Sequence, residues 1–190
     1  MPRKARVNDT VLADTALAII EADGPEHLTI GTLASALGIK PPSLYNHVSG
    51  IEDVRMHVRI IAATRLGDLM IEASMGRSGE EALVALCHAY RGFARDNPEL
   101  YAMTMEPAAG ENDDLDRVAW RALSPLFAVL AGCNLDDDRA VHAARTIRSG
   151  LHGFVSLENA GGFGLPESIE ESFRHLVDWL IGWTLDQAES

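Results

Sequence analysis

Residues 29–47 read TIGTLASALGIKPPSLYNH and predict two short helices joined by a turn at Gly38. The hydroxyl of Thr29 can cap the first helix by accepting a free backbone N–H of its opening turn. Apolar residues then recur at three- and four-residue spacing, as on one face of a helix: Ile30, Leu33, Ala34 and Leu37. Gly38 supplies the left-handed backbone conformation that ends a helix. The pattern is that of a helix-turn-helix.

The second helix of this motif opens with two prolines, which suit a first turn because their missing N–H groups have no helical partner there. Leu44 is expected to face inward, and the residues around the outside are small, polar or basic. Such a helix is suited to lie in the major groove of DNA. The predicted base-reading residues are Lys40, Pro41, Pro42, Ser43 and Asn46. The predicted contacts to the DNA backbone are made by Thr29, Tyr45 and His47.

The alternative interpretation of the motif is a helical hairpin with no nucleic-acid role, since such hairpins are common. A buried hairpin would not require a tip of Lys-Pro-Pro-Ser followed by Tyr, Asn and His. These groups can approach base edges closely or bond phosphate oxygens, so the DNA-binding interpretation is favoured.

Charge is distributed unevenly along the chain, whose net charge is −12 at pH 7. Residues 1–65 contain seven Lys or Arg and seven Asp or Glu, whereas residues 66–190 contain nine and 21. DNA would repel the acidic part, which is therefore expected to face away from it. A short N-terminal arm concentrates positive charge, and its predicted DNA-binding residues are Arg3, Lys4 and Arg6.

The residues that flank the motif extend the pattern in both directions. A predicted helix at about 8–23 precedes Gly24, and the runs that follow are Leu28-Thr29-Ile30, Leu33-Ala34, Leu37-Gly38-Ile39, Ser43-Leu44-Tyr45 and His47-Val48. Over residues 8–56 the sequence resembles the DNA-binding domain of the TetR family of bacterial transcriptional regulators. The resemblance implies a homodimer that binds a palindromic double-stranded DNA operator and senses a small molecule. Repression, rather than activation, is implied by the resemblance alone.

The rest of the sequence predicts only helices, about nine in the whole chain, and no segment with the two-residue period of a strand. The predicted parts are a helix-turn-helix domain (1–48), a connecting helix (49–75) and a C-terminal effector-binding and dimerisation domain (76–190). Ser49 and Glu52 have capping-box spacing at the start of the connecting helix. Pro166 is expected in the first turn of the last helix. The predicted fold class is all-α.

The last two predicted helices carry more apolar residues than packing one face of each on the core would require. The alternative is that their apolar residues all face the core of a single chain. Helix-turn-helix proteins read two half-sites through two-fold symmetry, so dimerisation is favoured. The segment 151–163 is also similar to one TetR branch, in which this helix and the last one form a four-helix bundle with the partner. The residues predicted to dimerise are Leu151, Phe154, Val155, Phe173, Leu176, Val177, Leu180 and Trp183, with Leu157, Trp179 and Ile181 adding apolar area.

Residues 80–160 combine aromatic and methionine side chains with a few polar groups, a composition typical of small-ligand pockets. For any single residue the alternative is a place in the plain core. The resemblance favours a pocket, because TetR-like proteins commonly sense small molecules between these helices. The predicted effector-binding residues are His88, Phe93, Tyr101, Met103, Met105, Trp120, Phe127, Arg148, His152 and Glu158. A second hypothesis is a dimeric DNA-binding regulator without a small-molecule effector, controlled by a protein partner.

The sequence contains no pattern typical of an enzyme, a metal site or a membrane span. The nucleophile elbow, the phosphate loop and the dinucleotide fingerprint are missing, and no two histidines have His-x-x-x-His spacing. Cys87 and Cys133 lie in apolar helical patterns, which favours buried reduced thiols. We therefore expect a cytoplasmic regulator that is not an enzyme and binds no metal or cofactor.

Overall fold

A computed structural model of the protein describes residues 9–105 and 113–189. Within these ranges all regular structure is helical, and this confirms the predicted all-α class. The helices are α1 (Asp9–Asp23), α2 (Ile30–Ala36), α3 (Pro41–Leu44), α4 (Ile51–Ser74), α5 (Gly79–Asp96), α6 (Pro98–Met105), α7 (Asp113–Gly132), α8 (Asp137–Asn159) and α9 (Ile169–Glu189). The predicted arm, Arg3, Lys4 and Arg6, lies outside the described residues.

The described helices form two compact units. The N-terminal unit contains residues 9–62, 99–105 and 113–115, and the C-terminal unit contains residues 63–98 and 116–189. Helix α4 is uninterrupted and belongs to both units, because they divide between its residues 62 and 63. The sequence-based boundaries near 48 and 75 correspond to the two ends of this helix, whereas the compact units divide inside it.

The core of the N-terminal unit is made of the apolar residues that the helical spacing placed on one face of each segment. The fully buried side chains include Ala16, Ile20, Leu33, Ala34, Leu44, Val54 and Val58. Burial of each leucine, isoleucine or valine contributes about 1.5–3 kcal/mol. Arg55 adds a polar contact to this unit, because its Nη2 donates a hydrogen bond to the carbonyl oxygen of Pro25 at 2.8 Å. Helix α4 is thereby fastened to the 3-10 turn Pro25–His27 that precedes α2.

The start of α4 differs from the predicted one. The helix begins at Ile51, which makes Asp53 rather than Glu52 its third residue. The Ser49 N–H accordingly donates to Asp53 Oδ2 at 3.0 Å. The Glu52 carboxylate is exposed, 3.9 Å from the Arg55 guanidinium. The predicted partnership of Ser49 with Glu52 is therefore wrong by one residue, because the carboxylate that accepts the hydrogen bond from the Ser49 N–H belongs to Asp53.

The start of α9 also differs from the predicted one. The helix begins at Ile169, so Pro166 precedes it and does not lie in its first turn. The Ser168 hydroxyl oxygen accepts a hydrogen bond from the Glu171 N–H at 3.3 Å. A serine oxygen satisfies a free N–H of the opening turn, which explains why the helix starts there.

In the C-terminal unit, α5, α8 and α9 pack on one another. The contact between α8 and α9 is close at Gly150, where an added Cβ would lie 3.1 Å from a methyl carbon of Leu180. Helices α4 and α7 also cross closely, since a Cβ on Gly67 would lie 3.2 Å from the backbone nitrogen of Ala122. At Gly67, where the neighbouring atoms belong to the backbone of α7, the absence of a Cβ lets the two helices approach closely.

Candidate nucleic-acid interface

Helix α2 is held at its start by a reciprocal cap and ends at a left-handed glycine. The Thr29 hydroxyl oxygen accepts from the Thr32 N–H at 3.1 Å, and the Thr32 hydroxyl oxygen accepts from the Thr29 N–H at 2.9 Å. Gly38 has a φ of 66°, and the following Ile39 N–H donates to the carbonyl of Ala34 at 3.0 Å. The predicted cap and the predicted helix end are both confirmed.

Helix α3 is a single α-helical turn, Pro41–Leu44, that continues into a tighter turn over residues 45–47. Its C-terminal end is closed by hydrogen bonds from the N–H groups of His47 and Val48 to the Leu44 carbonyl, at 2.9 and 3.2 Å. Leu44 has no exposed area and anchors the turn to the core. The eight predicted DNA-contacting residues within the described chain are all exposed: Thr29, Lys40, Pro41, Pro42, Ser43, Tyr45, Asn46 and His47.

Positive charge is scarce on this surface. Lys40 is the only exposed lysine or arginine of the N-terminal unit, as far as that unit is described. Arg55 is half-buried and bonded to a carbonyl, and Arg59 is buried. The surface around α3 therefore presents mainly neutral hydrogen-bonding groups, which position a protein on phosphate oxygens but neutralise little charge.

The ten residues predicted to bind an effector lie in different surroundings. Phe93, Tyr101 and Met103 are buried; Met105, Phe127, His152 and Glu158 are half-buried; His88, Trp120 and Arg148 are exposed. The structure brings Trp120 and Phe127 together, with their rings stacked and the centroids 5.4 Å apart. His88 packs edge-on against the ring of Phe173, at 5.3 Å between centroids. Three of the ten, on α6, belong to the N-terminal unit, and the others belong to the C-terminal unit.

Arg91 is a buried cation on α5 that the sequence analysis did not single out. Its Nε and Nη2 donate to the two carboxylate oxygens of Glu158 at 2.9 and 2.7 Å, and its Nη1 donates to Glu170 at 2.7 Å. The guanidinium lies 4.3 Å from the centroid of the Phe173 ring, in range for a cation–π contact. Hydrogen bonding to Glu158 raises the pKa of Arg91 above its ordinary value, although burial opposes the shift. One side chain thus joins α5, the end of α8 and the start of α9.

Glu158 is a correction to the predicted effector-binding set. Both of its carboxylate oxygens accept hydrogen bonds from Arg91, so this group holds α8 on α5. A signal for Arg91 was present in the sequence. It follows Cys87 by four residues and precedes Ala94 by three, which places a cation on the apolar face of α5.

The residues predicted to dimerise divide into two groups. Leu151, Val155, Phe173, Val177 and Leu180 are buried inside the single chain, as is Ile181. This is a correction, because side chains that are at most 3% exposed pack in the core of the single chain and leave almost no area for a second chain. Phe154, Leu176 and Trp183 are half-buried. Leu157 and Trp179 are 51% and 62% exposed and are the most exposed large apolar side chains of α8 and α9.

A shallow depression of about 240 Å³ lies in the C-terminal unit, between the end of α4, the start of α5 and the second half of α7. Its lining residues are Ser74, Arg77, Ser78, Gly79, Pro125, Ala128, Val129 and Gly132. None of the predicted effector-binding residues is among them.

The two cysteines are free and buried, which confirms their predicted state. Burial raises the pKa of the Cys87 thiol to about 12 and also raises the pKa of Cys133. A thiol with a raised pKa is protonated at neutral pH and therefore a poor nucleophile or metal ligand. Within residues 9–105 and 113–189, no three His, Cys, Asp or Glu side chains are placed to hold a metal ion.

Comparison with known proteins identifies the family to which this architecture belongs. Residues 83–180 match the model of the tetracyclin repressor-like C-terminal domain. The chain belongs to the TetR family. It is 36% identical to the uncharacterized HTH-type transcriptional regulator Rv0681 of Mycobacterium tuberculosis, over 84% of this chain and 73% of that protein. It is 28% identical to the uncharacterized HTH-type transcriptional regulator YobS of Bacillus subtilis, over 93% and 92% of the two chains.

A solved structure agrees with this family at the level of the fold. A TetR variant from Acinetobacter baumannii, solved in complex with minocycline, superposes with a TM-score of 0.70 over 97% of this chain and all of that one. The two sequences are 17% identical. The TetR-family chain described here is thus a DNA-binding transcriptional regulator and not an enzyme. No helix in the described ranges is long and apolar enough to cross a membrane.

Removal of the Glu158 carboxylate should destabilise this TetR-family protein far more than removal of Glu170. Glu158→Ala leaves the buried Arg91 without its two-oxygen partner, and breaking a buried pair in this way costs about 3 kcal/mol. Glu170 is exposed, so Glu170→Ala should cost much less. Chemical denaturation of both variants at pH 7 measures the difference. Equal losses would contradict the assignment of Glu158 as the principal partner of Arg91.

The contribution of Glu170 to stability has a defined acid dependence. Hydrogen bonding to Arg91 lowers the pKa of the Glu170 carboxyl below its ordinary value near 4.5. A carboxyl with a depressed folded-state pKa stabilises the protein fully above its unfolded value and loses that effect as the pH falls through the folded value. The stability gap between wild type and Glu170→Ala should therefore close as the pH falls below 4.5.

Proposed function

We propose that this protein is a homodimeric repressor that reads a palindromic operator with α3 and leaves it when a small-molecule effector binds. The observation that carries the DNA-reading step is the surface around Leu44. One buried leucine fixes the turn, while eight small, polar or basic residues around it stay exposed. Lys40, Pro41, Pro42, Ser43 and Asn46 would face base edges in the major groove. Thr29, Tyr45 and His47 would bond the phosphate backbone.

The N-terminal arm has a specific role in this proposal. The described surface offers Lys40 as its one exposed lysine or arginine, so most of the charge neutralisation that DNA binding requires must come from elsewhere. Arg3, Lys4 and Arg6 supply three cations directly before α1. We assign them to phosphate contacts beside the groove that α3 occupies.

Lys40 and Tyr45 should behave differently when they are substituted. Lys40→Ala should reduce the slope of log affinity against log salt by about one unit if Lys40 neutralises one phosphate. Tyr45→Phe should weaken binding to all DNA sequences by a similar factor, because a lost phosphate bond carries no sequence information. Fluorescence anisotropy at several salt concentrations, on operator and on unrelated DNA, measures both effects.

Arg174→Ala is the matched control for the salt slope, since it removes one exposed cation of α9 in the C-terminal unit. The slope should stay at its wild-type value in this control. An unchanged slope in Lys40→Ala as well would place Lys40 away from DNA. A changed sequence preference in Tyr45→Phe would make Tyr45 a base-reading residue.

The dimer in this proposal forms through the outer side of α8 and α9. Leu157 and Trp179 are the large apolar side chains most exposed on these helices, and Leu176 and Trp183 extend the same surface. Exposed apolar patches of this kind mark sites of protein association. Two-fold symmetry would present two reading units to two half-sites of one operator.

Two variants distinguish an exposed residue of the proposed interface from its buried neighbour in the core: Trp179→Glu and Leu180→Glu. Trp179 is 62% exposed, so Trp179→Glu should give a folded monomer. Leu180 is 1% exposed and packs on Gly150, so Leu180→Glu should unfold the C-terminal unit, because a charge would be buried without a partner. Light scattering reports the mass and circular dichroism reports the helix content. If the Trp179→Glu variant remained a dimer, the interface would have to lie elsewhere than on α9.

Effector release is supported by two observations. The structural neighbour from Acinetobacter baumannii was solved with minocycline. The C-terminal unit of this chain carries aromatic groups that could line a ligand site, such as the stacked Trp120 and Phe127. Helix α4 runs without interruption from one unit into the other and is crossed closely by α7 at Gly67. We assign the effector to the C-terminal unit and its action on DNA to α4.

Effector and operator should weaken each other's binding by the same factor, because coupling between two sites is reciprocal. A compound found by thermal-shift screening of the full chain should bind about 5- to 150-fold more weakly when operator is present. Calorimetric titrations with and without operator measure this factor, and unrelated DNA is the control. Equal affinities would exclude release by that compound and would favour control by a protein partner.

A further inference from the structure

Permanent positive charge is scarce in the N-terminal unit, but histidines are not. Between residues 9 and 62 the sequence has seven Asp or Glu and only three Lys or Arg. Of these three cations only Lys40 is exposed, because Arg59 is buried and the half-buried Arg55 is bonded to a backbone carbonyl. The same segment contains three histidines, all exposed: His27, His47 and His57. Histidine is the residue type that gains a positive charge as the pH falls from about 8 to 5.

His47 lies on the surface around α3. Its N–H donates a hydrogen bond to the Leu44 carbonyl at 2.9 Å, and Leu44 has no exposed area. The backbone of residue 47 is therefore fixed relative to α3. The imidazole ring is exposed, and it has no hydrogen bond or ion pair within the described part of the chain. It can therefore pair with a DNA phosphate without first breaking a contact.

The surroundings of His47 contain no carboxylate that pairs with it. Helix α2, which packs on α3, contains no charged residue and no histidine. Asp53 accepts a hydrogen bond from the Ser49 N–H at 3.0 Å, and Glu52 lies 3.9 Å from the Arg55 guanidinium. A phosphate would thus be the first anion to pair with this ring. The titratable groups on α3 and at the start of α4 are Lys40, Tyr45, Glu52 and Asp53.

His27 lies beside the cap of α2. Its carbonyl oxygen accepts a hydrogen bond from the Thr32 hydroxyl at 2.7 Å, and that hydroxyl oxygen lies 3.0 Å from the hydroxyl oxygen of Thr29, a predicted phosphate contact. The His27 side chain is exposed, with Nδ1 3.5 Å from the Glu26 carboxylate. A protonated His27 would offset that carboxylate, which otherwise repels DNA. The charged groups at the end of α1 and on α4 near this turn are Glu21, Asp23 and Arg55.

His57 differs from the other two histidines, because its ring is engaged by its own helix. Its Nδ1 lies 2.8 Å from the carbonyl oxygen of Asp53 and 3.6 Å from the carboxylate of the same residue. A protonated His57 therefore already has an anion within the chain. It serves as a control and not as a contact.

We propose that His27 and His47 are phosphate contacts that act in their protonated form, so that the affinity of the protein for DNA rises as the pH falls from about 8 to 6. The inference rests on the proposed DNA-reading function and adds a regulation of the same surface. A phosphate beside a histidine ring favours the charged form of the ring. The complex then holds more protons than the separate molecules, so acid strengthens binding and alkali weakens it.

Fluorescence anisotropy of the full-length protein at constant ionic strength tests the proposal. The probe is a mixed-sequence DNA duplex, because a phosphate contact does not depend on sequence. Wild-type protein should bind at least about tenfold more tightly near pH 6 than near pH 8. The slope of log affinity against log salt should also be steeper near pH 6, by about one unit for each histidine that neutralises a phosphate.

Two variants assign the effect to these side chains. The double variant His27→Gln with His47→Gln is uncharged at these positions at every pH, so it should bind like wild type near pH 8 and lose most of the gain near pH 6. His47→Lys carries its charge throughout and should bind more tightly than wild type near pH 8, with a weaker dependence on pH. Two controls should keep the full wild-type gain: His57→Gln in the same unit, and His175→Gln at an exposed position of α9.

The outcomes distinguish this inference from the function on which it rests. Wild-type protein that binds DNA equally well near pH 6 and pH 8 would overturn the inference alone. A double variant that keeps the full gain, or a loss of the gain in His57→Gln, would place the proton uptake on other groups and overturn the assignment. Wild-type protein that binds no DNA at either pH would overturn the proposed function itself. Circular dichroism of each variant at both pH values keeps loss of folding distinct from loss of binding.

Discussion

Burial of the Arg91 guanidinium obliges α5, α8 and the start of α9 to stay together, because a cation without its partners is costly inside a protein. Glu158 occupies two of its nitrogens and Glu170 a third, while the Phe173 ring covers one face. The α8–α9 hairpin is thereby fixed on α5 by its inner side. Its outer side is left with Trp179 exposed, and that side is where we place the partner subunit.

The N-terminal unit must keep the surface around α3 fixed in shape and at the same time exposed to solvent. Leu44 is the one side chain of α3 committed to the core, and the reciprocal cap between Thr29 and Thr32 fixes the preceding helix. The exposed groups are mostly neutral. A chain with a net charge of −12 can still bind DNA if its reading surface is small, its arm is basic and its acidic half faces away.

Local chemistry accounts for what the sequence predicted correctly. Helix periodicity, the Thr29 cap and the left-handed Gly38 act over a few residues, so they can be read directly from the chain. Contacts between distant residues could not be read in this way. Arg91 lies 67 positions from Glu158 and 79 from Glu170, and no local pattern names those partners. The apolar spacing of α8 and α9 likewise predicted helices but could not separate core residues from surface residues.

The central claim is that two copies of the reading unit, related by two-fold symmetry, recognise DNA sequence through α3. Selection of bound sequences from random double-stranded DNA by the full-length protein tests it most directly. The account predicts enrichment of a palindrome whose half-sites are separated by about one helical turn or a multiple of it. Enrichment of a single asymmetric site, or of no sequence at all, would contradict the claim.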